Sequence, residues 1–206
     1  MEASIGSSCG SMADTLVRLL ALKSGMVRHF DTMTTQHNGM RTASVILAAW
    51  FLSLGFDFLL HGGLLAKLYA HPTPFLLDPV TAFRRIPIGY LSFLVLTAAL
   101  QWFFRQSGVR GAISGLRYGT GIGFVIWGAL TMGLYSISTA TLPLLVAWWI
   151  GQSVELGLAG LVIGAAENGV RMGRLWSAVL ATVVMCLALT IFLQSFGYAP
   201  ASMVIS

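Results

Sequence analysis

Five runs of about 20 residues, almost free of charge, dominate this chain: 43–66, 86–104, 119–138, 143–166 and 175–196. At 1.5 Å per residue, each is long enough as a helix to cross a hydrocarbon core of about 30 Å. Hydrocarbon offers backbone N–H and C=O groups no partner, so such runs fold as α-helices that satisfy their own backbone. The expected fold is therefore all-α, a polytopic transmembrane bundle of about five spans. The 206 residues are 56% hydrophobic and only 9% charged, whereas soluble domains run to about 25% charged. The expected organisation is a tail at 1–42, the bundle at 43–196 and a short C-terminal tail at 197–206.

The tail does not read as a cleavable signal peptide. Its apolar patch at 16–22 is short, interrupted by Arg18 and followed by no small-residue cleavage site. Mixed with Asp14, Arg18 and Lys23, the patch suits a short amphipathic helix on a membrane surface. Lys and Arg set the orientation. Arg18, Lys23, Arg28, Arg41, Arg105, Arg110, Arg117, Arg171 and Arg174 fall on one side of the five spans, against Lys67, Arg84 and Arg85 on the other. The positive-inside rule then places the N-terminus in the cytoplasm and the C-terminus outside. These basic residues flank apolar segments, so the net charge of +5 reflects topology, and nucleic acid is not an expected partner. Cys9 in the tail and Cys186 within a span are not placed to pair.

Glycines recur every four residues in two places: Gly111, Gly115, Gly119 and Gly123 lead into the third span, and Gly160 and Gly164 lie in the fourth. Small residues at this spacing let two membrane helices approach to backbone contact. Gly115, Gly119, Gly123, Gly160 and Gly164 are therefore expected packing positions.

The intramembrane acids carry the functional expectation. Asp57 and Glu155 lie inside spans, where an ionisable group is costly and faces the bundle interior or a wet cavity. Ser53, Asp57 and His61 share one helix face at i, i+4, i+8, as do Trp148, Gln152 and Glu155 at i, i+4, i+7. Thr131, Tyr135 and Ser138 form a similar stripe in the third span. The three stripes are expected to converge on a polar pocket of Ser53, Asp57, His61, Thr131, Tyr135, Gln152 and Glu155. No metal site is assigned, because neither HExxH nor CxxC occurs. Haem held by two histidines needs a second buried His, and His29, His37 and His71 all lie outside the spans. No cofactor is assigned.

The run FDFLLHGGLLAKLY, the later GLRYGTGIGFVIWGAL and the Gln152–Glu155 helix ending in LAGLVIGA together resemble a broad group of uncharacterised small bacterial integral membrane proteins. Those proteins share an acidic and His-Gly signature in the first span and a glycine-rich later hairpin. The resemblance covers roughly residues 43–166 and implies a bacterial inner-membrane location and a helical bundle, with no activity attached. The long tail and the fifth span stand as additions to that pattern.

The primary expectation is a non-enzymatic membrane protein, either an accessory or assembly subunit of a larger complex or a bundle that binds a small ligand. Its expected partners are the lipid bilayer and other membrane proteins or further copies of itself. The alternative is a small proton- or cation-coupled transporter using Asp57, His61 and Glu155. An enzyme ranks third, since no activated Ser or Cys nucleophile stands beside the acids and no catalytic residue is assigned.

Overall fold

One helix sits at the centre of the bundle. In the computed structural model, which describes residues 39–69 and 74–198, the most apolar window of Leu142–Glu167 is 56% buried, against 17% for each of two of its neighbours. The chain divides into Met1–Ala43 and Ser44–Ser206, and the bundle, apart from the first residues of its first helix, belongs to the second unit. Its helices are α1 (Gly39–Leu64), the single-turn α2 (Ala66–Tyr69), α3 (Pro79–Ser107), α4 (Ala112–Ile137), α5 (Leu142–Glu167) and α6 (Met172–Ser195). No strand occurs among the described residues. Five of the helices are long and apolar enough to cross a membrane, which supports a multi-pass integral membrane protein. The amphipathic patch at 16–22 lies outside the described residues.

Two helices start seven residues earlier than hydropathy implies, one of them through capping. α3 begins at Pro79, not near residue 86, because the Asp78 carboxylate accepts the Thr81 amide at 3.0 Å and Pro79 pre-sets the first helical φ. The Thr81 hydroxyl and amide hold the exposed Asp78 carboxyl below its usual range. Arg84 and Arg85 therefore stand exposed on the first turns of α3 and not in a loop. α3 ends at Gly108, whose φ of 68° closes the helix in the left-handed region open to glycine. α4 likewise starts at Ala112, seven residues ahead of the apolar run, because the polar stretch with Arg117 continues the helix along α5.

Contacts between helices fix the directions. Gly115 lies against the Gly160 carbonyl, Gly119 against that of Leu156, and Gly123 against Ser153, so each step forward on α4 is a step back on α5. The Gly111 amide donates to the Gly164 carbonyl at 2.8 Å, tying the seam at one end. α1 and α6 run the same way. The Trp176 indole donates to Ser44 Oγ at 3.0 Å, Gly55 abuts Val183, and Gln194 donates to the Gly62 carbonyl at 3.0 Å. A parallel first and last helix is what five alternating crossings require.

The core lies in one half of the bundle. Ala48, Ala49 and Leu52 of α1 pack there with Leu100 and Phe104 of α3, with α5 from Leu156 to Ala166, and with Val179 of α6. The outward faces of α3, α4 and α6 are apolar, with Leu91, Val95, Val125, Met132 and Val184 all exposed. In water such surface would be unfavourable; against acyl chains it is ordinary.

Candidate functional site

The site begins with a local break in α1. Helical hydrogen bonding widens at Leu60–Leu64, where the Leu65 amide reaches back five residues to the Leu60 carbonyl at 2.8 Å. Such π-turns recur at functional sites in helices. Here it carries His61 and is followed at once by α2, which brings Tyr69 back over the imidazole. Gly62 and Gly63 let the turn press against Thr190 and Leu193 of α6.

Five residues then form one connected polar chain. Trp148 Nε1 donates to the Tyr69 hydroxyl at 2.5 Å, and that hydroxyl lies 2.5 Å from His61 Nδ1. His61 Nε2 is 3.2 Å from Asp57 Oδ1, one turn back on α1, and 3.1 Å from the amide of Gln152 on α5. Donor rules give the chain a direction. An indole N–H only donates, so the Tyr69 oxygen accepts from Trp148 and keeps its own proton for His61 Nδ1. The imidazole proton then sits on Nε2, facing the Asp57 carboxylate. A Gln amide presents either oxygen or nitrogen by a half-turn, so Gln152 suits both protonation states of that nitrogen. Burial raises the Tyr69 phenol well above its ordinary range, with Asp57 adding to the effect and the Trp148 hydrogen bond opposing it. Tyr69 therefore stays a neutral donor.

Glu155 lies deeper. It is 1% exposed, and neither carboxylate oxygen has a hydrogen-bond partner among the described residues. Asp57 lies within electrostatic range of Glu155, and both lie within electrostatic range of Tyr90 of α3, whose carbonyl accepts the Trp50 indole at 2.8 Å.

Asp57, His61 and Gln152 come together directly, Glu155 sits beneath them, and Ser53 is buried one turn below Asp57 on α1. Thr131 and Tyr135 do not join them. Thr131 spends its hydroxyl on the Trp127 and Gly128 carbonyls of its own helix, and Tyr135 is 60% exposed. The reason is where α4 packs. It covers the flank of α5 marked by Trp149, Ser153, Gly157 and Gly160, roughly 100° around the helix from Trp148, Gln152 and Glu155. Ser138 likewise bonds back to the Leu134 carbonyl at 2.6 Å.

Two participants escape a reading of the sequence alone. Tyr69 follows the break in α1 within what reads as a loop, and no spacing rule links it to His61. Gln101 of α3 is buried and donates to Glu167 Oε1 at 2.8 Å near the other end of α5; a lone Gln in an apolar run is its one signal. Among the described residues no three His, Cys, Asp or Glu side chains gather as a metal-binding group. Comparison with protein-family models, curated proteins and solved structures finds no match to this chain.

Tyr69→Phe tests the chain. It removes the acceptor of the Trp148 indole and the donor to His61 together, at an expected cost of about 1–3 kcal/mol for the groups left unpaired. Trp148 fluorescence is expected to shift, and thermal unfolding in detergent to move down. An unchanged spectrum and midpoint would show that Tyr69 does not bridge the two.

Proposed function

We propose that this chain is a small proton- or cation-coupled membrane transporter, and that Asp57, His61 and Glu155 form its exchanging site. One observation carries the proposal: a fully buried carboxyl, Glu155, without a hydrogen-bond partner among the described residues, within electrostatic range of a second carboxyl already engaged with an imidazole. Buried polar groups in native proteins are nearly always paired, and exceptions call for a functional reason. Intramembrane acids with a histidine are the parts of a proton relay. Two acids that feel each other's charge in an apolar medium favour holding at least one positive charge, whether a proton or a small cation. The glycine seam is occupied by α4 and α5 of one chain and offers no face to a second copy. The bacterial inner membrane suggested by the resemblance belongs to the same proposal, with the α2 end outside.

The test is an imposed pH gradient across proteoliposomes, with Na⁺, K⁺ or choline supplied in turn and lumenal pH followed by a dye. Wild-type protein is expected to dissipate the gradient with at least one of these cations. Glu155→Gln and Asp57→Asn are each expected to slow this at least tenfold while expression is kept. Wild-type rates equal to those of empty vesicles under every condition would remove the proposal.

A second reading, an accessory subunit, draws on α3. Its window is only 17% buried, and Ile88, Leu91, Val95 and Trp102 project outward. On that reading, gentle detergent extraction recovers the chain in fixed stoichiometry with another membrane protein, and a lone monomer counts against it.

A further inference from the structure

We propose that Glu155 exchanges its proton with one aqueous face alone, the face of α2 and the α4–α5 turn, by way of His61 and Asp57. This rests on the reading of Glu155 as the exchanging group and adds its route and its sidedness. Exposure falls inward along that route: the side chain of His61 is 30% exposed and that of Asp57 14%, whereas Glu155 is sealed. The groups are ordered for proton passage. Tyr69 and His61 are joined through Nδ1, Nε2 faces Asp57, and Asp57 lies within electrostatic range of Glu155. The imidazole is the one group in the series able to take a proton on one nitrogen and give it up from the other.

The opposite direction is closed by packing. From Glu155 to Glu167, α5 runs ~18 Å, and Ala159, Val162, Ile163 and Ala166 along it are buried against Ala49 of α1 and Leu100 of α3. Most polar groups in that half are committed, Gln101 Oε1 being the buried atom there without a hydrogen-bond partner among the described residues. The Thr97 hydroxyl bonds the Phe93 carbonyl at 2.7 Å, and Gln101 donates to Glu167 at 2.8 Å. A water chain to Glu155 from that side would have to part Leu100, Val162 and Ile163, which are among the most completely buried side chains. Asp57 and Tyr90 are the titratable groups within electrostatic range of Glu155, and neither lies toward the closed half.

Full-length protein in sealed vesicles, sorted by orientation on an N-terminal tag, provides the test. A membrane-impermeant quaternary-ammonium carbodiimide is added to one face at a time, and the Glu155 peptide is followed by mass spectrometry. The adduct on Glu155 is expected to form at least tenfold faster from the α2 face. Equal or faster labelling from the other face would overturn the proposal, with Thr97 and Gln101 marking the path taken. Absence of an adduct from both faces would overturn it too, since no aqueous route would then reach the carboxyl. The gradient assay separates the two ideas. One-sided labelling with unchanged flux in Glu155→Gln leaves the route and removes the transporter, and two-sided labelling with lost flux does the reverse.

Discussion

Gly119→Ala is expected to destabilise the bundle by about 3 kcal/mol or more, at the upper end of what overpacking costs, while Gly121→Ala two residues along is neutral or stabilising. A methyl at position 119 would sit 3.2 Å from the Cα atoms of Gly157 and Gly160 and press into the Leu156 carbonyl. All three are backbone atoms of α5, so no side chain can rotate away. The helices must separate along the whole seam, and the tight backbone contacts that bind them in place of a hydrophobic force are lost with it. At Gly121 nothing lies within 4 Å, so alanine there only improves helix propensity, by up to roughly 1 kcal/mol. Thermal unfolding of both variants in one detergent decides it, read from Trp149, whose ring packs on Gly128 across the same seam. Similar midpoints for the two would mean that α4 and α5 do not meet along their glycines.

Glu155→Met is expected to make the protein more stable and inactive at once. The wild-type carboxyl is buried without a hydrogen-bond partner among the described residues, a situation that costs about 1–3 kcal/mol relative to a satisfied or apolar group. Methionine fills a similar volume with a flexible, apolar chain and removes that cost. The unfolding midpoint should rise by an amount in that range, and gradient dissipation should fall to the level of empty vesicles. Gln at the same position keeps a polar head and should gain little stability. This is the usual exchange of stability for function at a site that keeps a costly buried group. A clear fall in the midpoint of Glu155→Met would mean that the carboxyl holds the bundle together, and the site would then be structural.

Much of the fold is legible without coordinates, because hydropathy and backbone satisfaction act on each segment separately. Five apolar runs become five helices. The limits that hydropathy misplaces are those where capping or packing overrides it: Asp78 and Pro79 start α3 ahead of two exposed arginines, and α4 extends through Arg117 because α5 lies beside it. Half of the site is legible on the same ground. Asp57 and His61 are one helical turn apart, and Gln152 and Glu155 share a face of α5, whatever surrounds them.

Which faces meet is another matter. Periodicity marks a polar stripe on α4 as readily as on α1, yet contact between helices depends on how closely two particular surfaces can approach. The glycines take α4 to the flank of α5 away from Glu155, and Thr131 and Tyr135 go with it. Tyr69 reaches His61 and Trp148, the latter 79 residues distant, because the π-turn redirects the chain at the end of α1. The amino-acid order by itself determined an all-helical chain with five spans' worth of apolar length and two acids that must turn inward, since those follow from the solvation of single segments. Tertiary structure alone decided what the acids face, because close packing between distant helices is a property of pairs of surfaces that no one segment contains.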